Sequence, residues 1–203
     1  MVGWAGSWHT FTCMPVPQPS SEPQRQLIRD IAYSRIRDEI LNGQLEPGEK
    51  LNDADLTAWL QVSRTPIREA IAMLAADGLI QMEPNRYTRI QDRSPDAYRR
   101  AAEYMHMIRS FVLDHLDRVP TKELSEARRR MSGLLPKLQD HDRDAQVAFN
   151  DEFGELAAMI DNPLITAAEQ RVRSQAQFHL QHPDAAIDWD HITNHAATLT
   201  GRA

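Results

Sequence analysis

The sequence predicts a mainly α protein, with an amino-terminal winged helix-turn-helix that carries a small β wing and, after it, an all-helical bundle. Two observations support this fold class. Residues 62–74 combine a helix-start signal with apolar residues at helical spacing, and two short strand patterns follow them. From residue 95 onward, amphipathic segments alternate with short turns, and no strand pattern occurs. We therefore expect a tail at residues 1–23, a winged helix-turn-helix domain at residues 24–92 and a helical domain at residues 93–203.

The tail combines several prolines with small polar residues around Trp4, Trp8 and Phe11, a composition that predicts disorder. It lacks the basic start and the sustained apolar core of a signal peptide. Met14 offers an alternative start, which would make residues 1–13 a wrongly assigned extension. An aromatic docking arm is the alternative interpretation of this segment.

The first predicted helix covers residues 24–42 and is stopped by Gly43. Residues 46–48 form a turn, and Asn52 or Asp53 can cap a short second helix. Residues 61–62 then make the tight turn that leads into a third helix.

The third helix has two distinct faces. Arg64, Thr65 and Arg68 share a polar face near its start, where Ser63 or Thr65 can cap the helix and Pro66 is tolerated in the first turn. This arrangement suits the start of a helix that enters a DNA major groove. The other face is apolar and has the spacing of a core-packed helix: Ile67, Ala70, Ile71 and Leu74.

The predicted wing follows this helix. One strand begins at residues 78–80, residues 84–86 turn the chain, and residues 87–90 return as the second strand. Three helices followed by a two-stranded wing make a winged helix-turn-helix.

This segment resembles the amino-terminal domain of GntR-family transcriptional regulators. The resemblance implies that Ser63, Arg64 and Arg68 contact phosphates and base edges, with Thr65 beside them. It also implies that the wing tip, residues 85–87 (Asn85, Arg86 and Tyr87), reaches the minor groove. Ala54 stands where some members carry a contacting arginine. The residues that carry the resemblance are Gly43, Pro47-Gly48, Leu51, Leu56, Val62 to Ala70, Leu74 and Gly78-Leu79-Ile80.

The carboxy-terminal part predicts five helices, at residues 95–117, 121–139, 143–160, 163–181 and 187–199. A GntR-like head followed by such a bundle resembles the FadR-type (FCD) subfamily, which implies an effector-binding and dimerisation domain. Asn150 and Gly154 stand where metal-binding members have an aspartate and a histidine, and His195 matches a later histidine. The final helix has no counterpart before Ala203, so the effector domain is expected to be degenerate and truncated.

Arg109 lies in an otherwise apolar stretch and therefore needs a partner, either a carboxylate of the chain or an anionic ligand. We predict that Arg109, Asn150 and His195 contribute to effector binding. His195 with His191 supplies at most two good ligands, fewer than a zinc site requires, so we predict neither a metal nor a cofactor.

Composition limits the other possibilities. A net charge of −6 argues against a protein that coats nucleic acid by bulk charge, although a local basic face can still bind DNA. Cys13 is the only cysteine, which excludes an intramolecular disulfide and favours the cytoplasm. No apolar run approaches the length of a membrane span.

The sequence therefore predicts a transcriptional regulator without enzymatic activity. We expect a ligand-responsive repressor that binds double-stranded DNA as a homodimer at a near-palindromic operator and responds to a small anionic metabolite. Residues 105–112 offer a candidate dimer surface, formed by Met105, Ile108, Phe111 and Val112. Two alternatives stay open: a DNA-binding dimer that has lost effector sensing, and a metal-dependent hydrolase built on the helical part.

Overall fold

The structure is a computed structural model that describes residues 27–84 and 86–201. The predicted tail at residues 1–23 and Asn85 at the wing tip lie outside these described residues. The fold class is confirmed: helices and one small sheet are arranged as a winged helix-turn-helix followed by a helical bundle. The elements are α1 (Ile28–Leu41), α2 (Asp53–Leu60), α3 (Arg64–Ala76), β1 (Ile80–Glu83), β2 (Tyr87–Ile90), α4 (Pro95–Leu113), α5 (Thr121–Gln139), α6 (Arg143–Ala158), α7 (Pro163–Leu180) and α8 (Trp189–Thr200).

Local sequence signals explain where the helices begin. Asn52 caps α2 by accepting a hydrogen bond from the backbone N–H of Ala54 at 2.8 Å, and Ser94 caps α4 in the same way. Ser63 occupies the N-cap position of α3 but makes no capping hydrogen bond. Pro66, three residues on, has no N–H to donate, which removes one of the two N–H groups that such a cap uses. The Ser63 hydroxyl is therefore left for another partner.

The head, by which we mean residues 28–90, has its own hydrophobic core. The apolar face predicted for α3 is confirmed, because Ile67, Ala70, Ile71 and Leu74 are all buried there. They pack against apolar residues of α1, α2 and the wing. One further member of this core, Phe178, comes from α7 of the bundle.

The wing is an antiparallel pair in which Ile80 lies opposite Ile90 and Glu83 opposite Tyr87. Residues 48–51 run alongside β2 as a short extended segment. The N–H of Leu51 donates to the Thr88 carbonyl at 2.8 Å, and Lys50 pairs with Arg89. The turn before this edge requires a left-handed conformation at Gly48, whose φ is +80°. Lys50 is thereby placed beside the wing.

The bundle, α4 to α8, encloses a second core that includes the fully buried Phe149 and Phe153. This packing corrects the predicted dimer surface. Met105, Ile108 and Val112 of α4 are buried inside the bundle, and Phe111 packs against the same core. The apolar stripe of α4 faces α6 and α7 rather than a second copy. None of the described helices is long and apolar enough to cross a membrane.

Helix α7 joins the bundle to the head through Asp77, the C-cap residue that follows α3. The Asp77 carboxylate accepts hydrogen bonds from the Tyr33 hydroxyl at 2.6 Å and from Arg171 Nε at 2.8 Å. The Asp77 carbonyl accepts another from Gln175 Nε2 at 2.7 Å. With Phe178 in the head core, these bonds fix the carboxy-terminal end of α3 against α1 and α7.

Candidate functional site

The polar face of α3 is exposed at its amino-terminal end. Ser63, Arg64, Thr65 and Arg68 all lie at the surface there. The unpaired N–H groups of a helix start and its positive dipole end favour an anion such as a phosphate. This end of α3 can therefore bind an anionic backbone as well as present side chains to it.

The two arginines of this face differ in their surroundings. Arg68 Nε donates to Asp53 Oδ2 at 2.8 Å, which ties the recognition-helix candidate to the first residue of α2. The rest of its guanidinium stays available, since the side chain is 71% exposed. Arg64 makes no ion pair with any residue that the structure describes. Arg68 is thus oriented, whereas Arg64 is unrestrained.

A groove of about 530 Å³ brings Arg64 and Arg68 of α3 to one surface with Arg86 and Tyr87 of the wing; Ser63 and Thr65 do not line it. We call it the basic groove. Four cations line it, and Asp53 is the single carboxylate among its lining residues: Lys50, Asp53, Arg64, Arg68, Arg86 and Tyr87 are its principal members. Sequence reasoning missed Lys50, because only the long-range pairing of residues 48–51 with β2 brings it there.

The wing residues are held to different degrees. Arg86 Nη1 lies 4.0 Å from Glu83 Oε1, and the Arg86 side chain is 72% exposed, so this ion pair restrains it little. Tyr87 lies under the guanidinium of Arg89, with 5.2 Å between Cζ and the ring centroid. Arg89 is itself held by the side chain of Gln81. Tyr87 is therefore part of the wing surface, and Arg86 is the freer of the two.

The bundle contains a separate cavity of about 270 Å³, lined among others by Arg109 and Asn150. Arg109 is only 3% exposed. Its guanidinium donates to Asn150 Oδ1 and lies 5.4 Å and 5.5 Å from the ring centroids of Phe149 and Phe153. Its Nε is buried without a hydrogen-bond partner. The sequence left open a carboxylate or a ligand as the partner of Arg109, and the structure provides a neutral amide.

Burial lowers the pKa of Arg109 to about 10, while Tyr98 and Glu169 act in the opposite direction. The guanidinium therefore remains a cation at neutral pH. A buried cation that hydrogen-bonds to a neutral amide and packs between aromatic rings is costly, because the charge of Glu169 offsets its desolvation only in part. The cavity beside Arg109 is the place where an anion would offset that cost.

His195 is not among the residues that line this cavity. It belongs instead to a histidine cluster with His106 of α4 and His191 of α8. The rings of His106 and His191 stack with their centroids 3.6 Å apart, and those of His191 and His195 lie 4.1 Å apart. Burial, followed by the charges of neighbouring histidines and Arg109, lowers the pKa of His106 and His195 to about 4.

The residues around Asn150 do not fit a resident metal. Asn150 offers only a neutral amide oxygen, and that oxygen accepts from Arg109. A side chain at Gly154 would meet Arg173 Cζ and Glu169 Oε2 at 2.9 Å. Within residues 27–84 and 86–201, no group of three or more His, Cys, Asp or Glu side chains could hold a metal ion. The alternative of a metal-dependent hydrolase gains no support from this donor set.

The histidine cluster predicts that acid weakens the fold. Between the ordinary histidine pKa of 6.5 and the folded value of about 4, the unfolded chain takes up protons that His106 and His195 do not. The free energy of unfolding therefore falls as the pH drops through this window. We expect the melting temperature to fall less between about pH 7 and about pH 5 in His106→Gln than in the wild type. An equal fall in both proteins would show that the cluster does not titrate as described.

Comparison with known proteins finds a family match for the amino-terminal part. Residues 28–90 match the family described as "Bacterial regulatory proteins, gntR family". An uncharacterized HTH-type transcriptional regulator of Streptomyces ambofaciens is 34% identical over 94 residues, which is 46% of this chain and 38% of that protein. The chain thus covers well under half of that relative. The HTH-type transcriptional regulator Mce2R of Mycobacterium tuberculosis is 27% identical over 88% of this chain and 67% of its own length.

Two solved structures share the fold over most of the chain. E. coli McbR/YncC has a TM-score of 0.58 at 19% identity, covering 87% of this chain and 88% of that one. A putative GntR regulator from Rhodococcus sp. RHA1 has a TM-score of 0.57 at 21% identity, covering 86% and 87%. These structures show the shared fold, whereas the family match and the relatives support a DNA-binding helix-turn-helix transcriptional regulator.

Proposed function

We propose that this chain is a ligand-responsive transcriptional repressor that binds a near-palindromic operator as a homodimer. The observation that carries the proposal is the basic groove, where Arg64, Arg68, Lys50 and Arg86 line one surface between the start of α3 and the wing. Residues 24–92 are the proposed DNA-binding domain, and residues 93–203 are the proposed effector-binding and dimerisation domain of the FadR type.

The proposed roles follow from the chemistry of each side chain. Arg64 is the base reader, because its guanidinium is free to make a bidentate contact with guanine. Arg68, oriented by Asp53, contacts base or phosphate with its remaining N–H groups. The hydroxyls of Ser63 and Thr65 bind phosphate at the start of α3.

The wing supplies the second contact of this proposed interface. Arg86 would enter the minor groove, with Asn85 and Tyr87 beside it, since an exposed arginine suits the negative potential of that groove. Lys50 would add a phosphate contact at the same edge.

A homodimer is expected because one short recognition helix reads too few base pairs to be selective. Two copies related by a two-fold axis double the readout and make the operator nearly palindromic. We expect light scattering to give twice the mass of the chain, both alone and on DNA. A strictly monomeric mass in both conditions would refute the dimer.

The cavity beside Arg109 is the proposed effector site. Its buried guanidinium forms no ion pair with the residues that the structure describes and has an unpaired Nε, so a small anionic metabolite would complete it. Asn150, which already binds Arg109, would orient both the arginine and the ligand. His195 would act from behind the cavity, through its contact with His106 and His191.

This site predicts opposite effects of one substitution on stability and on binding. Arg109→Met removes a buried charge that forms no ion pair within the described residues and keeps most of the side-chain volume, so the ligand-free protein should be as stable as the wild type or more stable, by up to about 4 kcal/mol. The same variant should lose the rise in melting temperature that small dicarboxylates produce in the wild type by mass action. Differential scanning fluorimetry of both proteins, with and without such acids, measures both effects.

Leu164→Met serves as a control, because Leu164 is highly exposed and distant from the cavity residues in sequence. A large loss of stability in Arg109→Met would mean that the arginine has a counter-charge in the folded protein. If no anion shifts the wild type, the hydrogen bond from Arg109 to Asn150 favours a domain that has lost effector sensing and only assembles the dimer.

A further inference from the structure

A second concave site lies where the head meets the bundle. We call it the joint groove; its volume is about 450 Å³, and Gly78, Arg100, Tyr104, Arg171, Gln175 and His179 line it. It uses a different face of α4 from the bundle cavity, which is lined by Arg99, Glu103, His106 and Arg109 instead. The two sites are therefore separate.

The joint groove is cationic. Arg100 and Arg171 line it, and none of its lining residues carries a carboxylate. Arg100 is exposed and makes no ion pair with any residue in the part of the chain that the structure describes. Arg171 gives its Nε to Asp77 at 2.8 Å, but its side chain is 59% exposed, so the other guanidinium nitrogens remain available. Two guanidinium groups thus line one groove, and most of their N–H groups remain available to a ligand.

His179 lines the same groove and is held in place by the chain. Its Nδ1 accepts a hydrogen bond from the backbone N–H of Ser94 at 3.2 Å, so the neutral ring carries its proton on Nε2. Burial, followed by the positive charges of Arg100 and Arg93 and by His182, lowers the pKa of His179 to about 4. At neutral pH this residue therefore offers an N–H without becoming a cation.

On the side of the groove that belongs to the head, hydrogen bonding and close packing hold the backbone at Gly78 in place. Gln175 Nε2 donates to the Asp77 carbonyl, and a Cβ on Gly78 would lie only 2.8 Å from that nitrogen. Gly78 has a φ of +75°, which a glycine tolerates best. The close approach of Gln175 to this turn joins the bundle wall of the groove to the head.

We propose that the joint groove binds a compact anion with two or more negative charges, of the phosphate or carboxylate class, held between Arg100 and Arg171. Such an anion requires hydrogen-bond donors with no carboxylate beside them. Planar guanidinium groups bind both phosphates and carboxylates in a bidentate manner. Bound anion would compete with Asp77 for Arg171, at the end of α3. An effect of this competition on DNA reading by α3 rests on the DNA-binding function proposed above. The anion site itself does not.

Isothermal titration with sodium pyrophosphate and, separately, with citrate tests the site at constant ionic strength. The two probes represent the two oxyanion classes. We expect at least one of them to bind the wild type, and Arg100→Gln and Arg171→Gln each to weaken that binding about tenfold or more, or about 1.4 kcal/mol. Arg128→Gln is the matched control: it removes the same charge from an exposed position of α5 and should bind as the wild type does.

The result is decided by the pattern across the four proteins. Binding of neither probe, or equal binding by Arg100→Gln and the wild type, would overturn the proposal; the second outcome would locate the anion elsewhere, such as beside Arg109. Equal weakening in Arg128→Gln would also overturn it, by showing a response to net charge alone. Because Arg100 is exposed, its variant should fold, which circular dichroism checks. The titration uses no DNA, so its failure is distinguishable from a failure of the regulatory function.

Discussion

Arg64→Ala should lower the affinity of the protein for its operator by about one to two orders of magnitude, because a bidentate arginine–guanine contact is worth about 1–3 kcal/mol. Arg64 stands at the first residue of α3, exposed and without an ion pair in the described part of the chain. Its removal leaves the hydrophobic face of α3 untouched, so the fold should keep its stability. The loss should therefore appear in binding alone.

Fluorescence anisotropy on specific and scrambled DNA, at several salt concentrations, separates the kinds of contact. Arg64→Ala should lose affinity mainly for the specific site, whereas loss of a phosphate contact weakens all sequences alike and reduces the salt slope by about one. Arg68→Ala should also lose specific binding, although its pair with Asp53 is exposed and contributes little to stability. Arg128→Ala is the charge-matched control. Wild-type affinity in both Arg64→Ala and Arg68→Ala would mean that α3 is not the recognition helix.

Phe178→Ala should cost about 3–5 kcal/mol of unfolding free energy, the usual cost of emptying a fully buried aromatic site. Phe178 belongs to α7, yet its ring is 0% exposed and lies in the core of the head. The guanidinium of Arg93 also covers it, with 5.3 Å between Cζ and the ring centroid. Loss of this ring should weaken the head and its attachment to the bundle together.

Urea unfolding followed by circular dichroism measures this cost. Leu164→Ala is the control within the same helix, because Leu164 is 82% exposed and its removal should change stability by less than about 0.5 kcal/mol. In Phe178→Ala we expect a lower midpoint and a broader transition, as the head separates from the bundle before it unfolds. A loss similar to that of the control would show that Phe178 does not join the two parts.

Much of the head could be predicted from local sequence because local signals determine it. The 3.6-residue spacing of apolar residues in α3, the cap at Asn52 and the turn before β2 each act within a few residues, as does the cap at Ser94 where the bundle begins. The exception at Ser63 is also local, because Pro66 removes one of the two N–H groups that a cap at this position could use. A hydroxyl without a capping role is consistent with the proposed phosphate contact.

The errors and omissions arose where contacts join distant parts of the chain. The face of α4 with Met105, Ile108 and Val112 is apolar whether it meets a second copy or its own bundle, and only the packing of α4 against α6 and α7 decides. Lys50 reaches the basic groove because residues 48–51 pair with a strand about forty residues later. Nothing in the local pattern around Phe178 indicates that it belongs to another core.

The candidate effector site was predicted in part. The sequence marked Arg109 as a residue that needs a partner, and Asn150 as a replaced ligand position. It did not indicate that the two bind each other, or that Arg109 lies between Phe149 and Phe153. The position of His195 behind the cavity, in contact with His106 and His191, depends on how α8 packs against α4.

The most direct test of the regulatory function is in vitro selection of DNA bound by the purified full chain, from a library of random duplexes, in parallel with Arg64→Ala. We expect the wild type to enrich a near-palindromic sequence whose half-sites lie about one helical turn apart. The variant should enrich no such sequence, or one relaxed at the guanine that Arg64 reads. Failure of the wild type to enrich any sequence, or the same motif from both proteins, would contradict the assignment of α3 and the basic groove as the surface that reads DNA.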